Sequence, residues 1–249
     1  DTRIPCARHV GLVLFADTNL YTSRRCLASH PDREISTALR RDNSGLISNE
    51  SISLVLDTFY DHRNGFTFQT GPLGTIRDQA IADGQLNESW NTVWDVRSAR
   101  SDAGWTTEMV IPFKSLRYAS SGPQVWGINV RRIVKWKNEL SFLTAVPAAY
   151  GSGGVNRLNV AATLVGVETP LQSKNLEFKP YLTSSIVTDR SAPVPVSNDL
   201  TKNVGIDVKY GLTRGLVFDA TVNTDFAQVE EDLQQVNLTR FSLFFPEKR

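Results

Sequence analysis

Two tryptophans, Trp90 and Trp94, lie four residues apart in the run Glu88-Ser-Trp-Asn-Thr-Val-Trp-Asp95. Exposed rings near a turn can stack on the C–H face of a sugar while neighbouring polar groups take its hydroxyls. Packing into a core is the competing role for both. Trp105 and Trp126 fall in strand-like runs and read as core, while Trp136 and Tyr150 complete the set of large rings weighed for this purpose. A second group, Asp57, Asp61 and Asn64, occupies one polar loop whose oxygens could converge on Ca2+. The same residue types also set the geometry of an ordinary hairpin loop. Met109, the only methionine, could ligate a heme iron opposite a lysine or one of His9, His30 and His62. Its strand alternation with Thr107 and Ile111 reads instead as core.

Catalytic spacings are missing. The chain contains no His-x-Glu, Gly-x-Ser-x-Gly or Cys-x-x-Cys run, and Glu230-Glu231 sits in a polar stretch that reads as solvated. The expectation is of a protein that is not an enzyme. Lys and Arg number 27 against 26 Asp and Glu, a formal charge of +1, so nothing seeks a phosphate backbone and no nucleic acid is expected. No apolar run reaches the roughly 18 residues of a transmembrane helix. No signal peptide opens the chain, which suits a mature or excised segment as well as a cytosolic protein.

The elements that must carry these residues are strands. With 41% hydrophobic and 9% aromatic residues a core can form. Val10–Phe15 and Leu20–Cys26 bracket a turn at Asp17-Thr18-Asn19, which sets Cys26 opposite about His9 and leaves Cys6 out of register for a disulfide. Ser51–Asp57 and Gly65–Thr70 flank a loop ending in Asn64-Gly65, followed by Trp105–Ile111 and Val125–Val134. The expected helical pieces are short, Arg77–Leu86 and a turn at Phe113–Arg117. Gly151-Ser-Gly-Gly154 reads as a flexible break and Thr169-Pro170 as the end of the first domain. Beyond it, Leu176–Thr188, Asn203–Gly211 and Leu216–Thr224 alternate apolar with polar residues, the dyad pattern of a membrane barrel or of an amphipathic sheet. A long polar loop is expected over Asp189–Lys202 and a tight turn at Leu212-Thr-Arg-Gly215. The fold class is therefore all-β, an antiparallel β-sandwich over 1–168 and antiparallel barrel-type strands over 169–249.

Several stretches resemble the family 9 carbohydrate-binding domain. They are Asn49-Glu-Ser-Ile-Ser-Leu-Val-Leu-Asp57, Phe66-Thr-Phe-Gln-Thr-Gly-Pro-Leu-Gly74, Gly104-Trp-Thr-Thr-Glu-Met-Val-Ile-Pro-Phe-Lys-Ser-Leu116 and Trp126-Gly-Ile-Asn-Val-Arg131. The order of the chain resembles bacterial outer-membrane proteins in which such a domain precedes a β-barrel. Leu176-Glu-Phe-Lys-Pro-Tyr181, Lys209-Tyr-Gly-Leu-Thr213, Val222-Asn-Thr-Asp-Phe-Ala-Gln-Val-Glu230 and Val236–Arg249 carry that likeness, together with the Glu88–Asp95 run. It implies the first strands of a barrel that continues beyond Arg249, a periplasmic sandwich and contact with outer-membrane lipid. It also implies an oligosaccharide partner, for which the candidate binding set is Trp90, Trp94, Gln69, Asn129 and Tyr150.

The site departs from the family pattern. Ser53 stands where the acid of its strand would be, Gln69 where an arginine would be, and Ile47 where one clamping tryptophan would be. Tyr150 lies in the region of the second clamp. Two classes of function follow: an outer-membrane binding and uptake protein, or a soluble periplasmic module, either a carbohydrate-binding appendage of a glycoside hydrolase or a heme-binding subunit.

Overall fold

In the computed structural model the chain is described over residues 9–16, 18–119, 122–170, 176–189, 196–211 and 217–223. It divides into two compact units, 1–172 and 173–249. The expected motifs Val222–Glu230 beyond Asn223, Val236–Arg249, Cys6 and the turn at 212–215 lie outside the described residues.

The first unit is built on two antiparallel sheets. One orders the strands β1 (His9–Ala16), β2 (Asn19–Leu27), β8 (Gly104–Pro112) and β7 (Asp95–Ser101) as β1-β2-β8-β7. The other is centred on β3 (Ser51–Asp57), β4 (Gly65–Thr70) and the long β9 (Gly122–Val134). Its order is β10-β9-β3-β4-β5-β6, with β5 at Arg77–Ala82, β6 at Gln85–Asn87 and β10 at Glu139–Phe142. The remaining strand of this unit, β11 (Ala162–Thr169), pairs with the first half of β9 on the edge that β10 takes further along.

Alternation decides what each sheet buries. Leu20, Cys26, Trp105, Met109 and Ile111 from the first sheet meet Ile52, Leu54, Leu56, Phe66, Phe68, Trp126, Ile128 and Val130 from the second in one cluster. His9 stands opposite Cys26 in the β1–β2 register, as the turn position implied. Burial pushes the Cys26 thiol up to about 11, so it is an inert core residue. Met109 is also core, His30 stacks edge-on against Trp136, and His62 bonds the Leu158 carbonyl. Met109 is thus held in the core while these two histidines are engaged by Trp136 and Leu158. Among the described residues this arrangement does not assemble the heme ligation considered for Met109; the His9 side chain lies outside them.

Three local expectations change. Arg77–Leu86 is not helical: β5 and β6 form a hairpin whose Asp83 and Gly84 both take positive φ, 50° and 77°. That is the backbone of the two-residue turn that Asp-Gly favours, and it overrides a short polar-apolar pattern. Gly151–Gly154 is not a linker but part of a 3-10 segment, Ala148–Asn156, anchored by the buried Val155. The Asp189–Lys202 loop is shorter than expected, because ladder pairing continues to Asp189 opposite Val196 after the clean side-chain alternation has ended.

The second unit is a three-stranded antiparallel sheet, β12 (Leu176–Asp189), β13 (Val196–Gly211) and β14 (Val217–Val222). Register places Leu176 against Tyr210 and Phe218, Phe178 against Val208 and Ala220, and Leu182 against Val204. All of these project from one face, where Leu182, Ile186, Val204 and Val222 are 62–70% exposed. The other face carries Lys179 opposite Asp207 and Lys209 opposite Asp219, the latter pair 3.4 Å apart. On this face Tyr181 lies across Gly205, where a Cβ would fall 2.2 Å from the ring, and its hydroxyl donates to the Asn223 carbonyl at 2.5 Å. A glycine is needed there, since any side chain would lift the ring.

Two outcomes follow for the sandwich. Trp94→Ala should cost about 3–5 kcal/mol by urea unfolding, whereas Tyr150→Ala should stay within about 0.5 kcal/mol. Burial raises the Glu50 carboxyl above its ordinary 4.5, opposed by N–H donors of Lys135 and Trp136 and by Arg132. The folded state then holds this proton more tightly than the unfolded chain, so Glu50 lowers stability as pH rises from about 4.5 through the raised value. Glu50→Gln should flatten that part of the pH–stability curve.

Candidate functional site

The candidate binding residues separate onto opposite faces of the large sheet. Trp94 is 5% exposed, packs edge-on against Phe68 with centroids 5.2 Å apart, and donates its indole N–H to Asp78 at 3.1 Å. Asp78 has no exposed side-chain surface, pairs with Arg41 at 2.5 Å and accepts the Thr92 N–H at 2.7 Å. Its carboxyl is raised by burial against these stabilising partners. Trp90 lies against Phe66 at 4.8 Å and joins the edge of the same core. Trp94 is therefore structural, taken inward by hydrophobic burial and the Asp78 acceptor, and Trp90 is half-buried against Phe66 at the edge of the same core.

Gln69 and Asn129 face the other way, on the side of the sheet remote from the first sheet. Here the pleat aligns two rows of side chains across four strands. The first runs Arg131 (β9), Ser53 (β3), Gln69 (β4) and Arg77 (β5); the second runs Asn129, Val55, Thr67 and Gln79. This face is polar yet enclosed. Ser53, Gln69, Thr67, Gln79, Asn129 and Arg131 are all buried. The 3-10 segment Ala148–Asn156 arches over part of it. Arg131 donates through Nη1 to the Ser152 carbonyl at 2.5 Å, Thr67 donates to Asn156 Oδ1 at 3.2 Å, and Val155 joins Val55, Ile81 and Leu158 in a small apolar cluster.

Within the rows, Arg131 Nη2 donates to Ser53 Oγ at 2.8 Å and Arg77 Nη1 donates to Gln69 Oε1 at 3.3 Å. Arg77 Nη2 and Gln79 Nε2 both donate to Glu88 Oε1, at 2.8 and 3.0 Å. Asn129 donates to Thr144 Oγ1 at 2.9 Å. Tyr150 stands exposed on the arch with the Arg157 guanidinium 5.2 Å above its ring. Arg157 in turn lines a cleft of about 200 Å3 with His62, Arg63, Asp83, Asn156 and Asn159. The residues missed by sequence reasoning are thus Arg131, Arg77, Gln79 and Glu88. Cross-strand register unites Arg131, Arg77 and Gln79, and hydrogen bonds from Arg77 and Gln79 bring in Glu88, although Arg131 and Glu88 stood in the quoted Trp126–Arg131 and Glu88–Asp95 runs.

The loop considered for calcium uses its oxygens on itself. Asp57 has no exposed side-chain surface and accepts the N–H groups of Asp61 and His62 at 3.2 and 2.8 Å. Asp61 accepts from the Arg63 and Asn64 N–H groups, both at 2.8 Å, and from Asn64 Nδ2 at 2.7 Å. Asn64 therefore presents an amide donor to Asp61. Tyr60 and His62 take positive φ, 52° and 59°, and the two carboxylates hold that backbone in place. Among the described residues no group of three or more His, Cys, Asp or Glu side chains is placed to share a metal.

Comparisons with known proteins bear on each unit separately. Residues 172–249 match the model of a domain of unknown function, DUF5916. No curated protein matches the sequence. The fold is similar to that of a "putative carbohydrate-binding protein" from Bacteroides uniformis, with a TM-score of 0.51 and 12% identity over 64% of this chain and 78% of that one. It also shows similarity to a family 9 carbohydrate-binding module from Caldicellulosiruptor kristjanssonii. In complex with glucose the TM-score is 0.46 at 10% identity, over 70% of this chain and 82% of that one. In complex with cellotriose it is 0.43 at 10% identity, over 62% and 74%. The first of these likenesses places the antiparallel sandwich in a known fold.

The loop geometry makes a separable prediction. Asp57→Ala should lower stability by about 1–3 kcal/mol, because it removes the buried acceptor of the Asp61 and His62 N–H groups that shape the loop. Adding calcium or a chelator should leave the melting temperature of the unsubstituted protein unchanged. A calcium-dependent rise of several degrees would restore the metal reading.

Proposed function

We propose that this chain is a non-catalytic, carbohydrate-recognising protein of a bacterial outer membrane. In this reading a periplasmic sandwich binds glycan, and the second unit supplies strands to a β-barrel in contact with lipid. The observation that carries the reading is the two-faced sheet β12–β14. Its register collects Leu176, Phe178, Leu182, Ile186, Leu200 and Val204 on one face and Lys179, Asp207, Lys209 and Asp219 on the other. A lipid-facing exterior and a hydrated interior are what such alternation provides in a barrel, where every backbone group pairs with a neighbouring strand. In ordinary water the apolar face would cost about 25 cal/mol for each Å2 left exposed.

Glycan recognition is supported by the sandwich fold shared with the Bacteroides protein and by a polar, partly arched sheet face. Gln69 and Asn129 stand on that face and Tyr150 on the arch, so these three of the five candidate binding residues lie on the same side of the sheet, away from the core. Amides and guanidiniums on a rigid sheet match the in-plane donors and acceptors of a sugar. The same fold likeness favours a second reading, a soluble periplasmic carbohydrate-binding module.

The readings differ in behaviour. The outer-membrane reading expects extraction only with detergent and a heat-dependent shift of the full-length protein on an electrophoretic gel. A freely soluble monomer with no such shift would leave the soluble module. On a glycan array, Trp90→Ala should retain whatever binding the unsubstituted protein shows, provided it folds, and Tyr150→Ala should weaken it. Failure to bind any glycan would remove the carbohydrate reading.

A further inference from the structure

The row Arg131–Ser53–Gln69–Arg77 places two guanidiniums at either end of four neighbouring strands, with their Cα atoms about 14 Å apart at the usual strand spacing. Both point toward the middle of the row. Arg131 gives an N–H to Ser53 and Arg77 gives one to Gln69, so the charges converge over the β3–β4 pair. Arg131 is 2% exposed and its Nε has no hydrogen-bond partner. The Arg77 side chain is 11% exposed. Among the described residues the one carboxylate bonded to either guanidinium is Glu88, which is 63% exposed, reaches Arg77 from the outer flank and shares its Oε1 with Gln79.

Two enclosed cations with one peripheral carboxylate form an unbalanced arrangement. An enclosed charge lacking its counter-charge costs several kcal/mol, and guanidiniums hold planar oxyanions in paired hydrogen bonds. Burial and the Arg77 charge bring Arg131 down to about 10, the direction expected when a cation lacks an anion beside it.

We infer that this row is a subsite for an acidic sugar, with the carboxylate or sulfate of one residue lying between Arg131 and Arg77 and a hydroxyl meeting Gln69. The inference rests on the carbohydrate reading and narrows its ligand to anionic glycans. The Gly151–Gly154 stretch of the arch, which lends the Ser152 carbonyl to Arg131, supplies the neutral acceptor that the sugar's anion would supplement.

The test uses the full chain as purified and measures binding by titration calorimetry. The probes are trigalacturonate, a sulfated galactose disaccharide and the neutral cellotriose. An anionic probe should bind at least tenfold more tightly than cellotriose, lose at least tenfold in both Arg77→Gln and Arg131→Gln, and weaken with added salt. Preference between the two anionic probes then tells carboxylate from sulfate, and either result supports the subsite. If Arg131→Gln does not fold, Arg77→Gln decides, since its partly solvated position tolerates an amide. Cellotriose binding as tightly as both acids, or acid binding indifferent to Arg77→Gln, overturns the acidic subsite and leaves a neutral-glycan module. Absence of binding to every sugar on an array overturns the carbohydrate reading and the subsite with it.

Discussion

The large sheet of the first unit is buried on both faces, and most of the sandwich follows from that constraint. All seven residues of β3 are buried, as are the last nine of β9, although only alternate positions reach the hydrophobic core. A strand enclosed on both sides must satisfy two environments with one alternating sequence. Ile52, Leu54 and Leu56 meet the first sheet, while Ser53 and Asp57 must find hydrogen bonds on the reverse. The arch 148–156, the Asp57 loop and the arginine row are the means by which this chain satisfies its polar reverse face.

Satisfying a buried polar face makes it rigid. The polar side chains there are tied to neighbouring strands, to the arch or to adjoining loops, so a ligand would meet a preorganised surface. The core face does the opposite work, using Asp78 to hold Trp94 and Arg41 and thereby fix the segment that carries Trp90. The two tryptophans most suggestive of sugar stacking thus support the sheet from behind. Among the described residues of the second unit there is no comparable enclosure. The apolar face of β12–β14 is open and the polar face carries its charges in cross-strand opposition.

Much of this could be read from the linear chain. The positions of β1 to β4, β8, β9 and β12 to β14, the all-β class, the core roles of Trp105 and Trp126 and the opposition of Cys26 to His9 follow from period-two alternation and turn residues, whereas β5, β6, β7, β10 and β11 are too short, too polar or too irregular to show that period. So does the two-faced character of 176–222, because alternation is a local property. The Asp57–Asn64 loop was legible as chemistry but not as purpose. Carboxylates that cap backbone N–H groups and carboxylates that bind calcium have the same residue types at the same spacing.

Whatever depended on a long-range partner was decided only by the tertiary structure. Trp90 and Trp94 lie in a loop, where no period assigns a face, and the acceptor at Asp78 together with the apolar surface of Phe66 and Phe68 turns them inward. Arg77 and Arg131 are 54 positions apart, and nothing in their local surroundings relates them until β5, β4, β3 and β9 lie side by side. Which residues each strand turns to either face is written in the linear chain, because the backbone's own two-residue repeat sets it. The order and register of the strands decided which of those residues meet, because strand pairing joins distant segments through backbone groups that every residue shares.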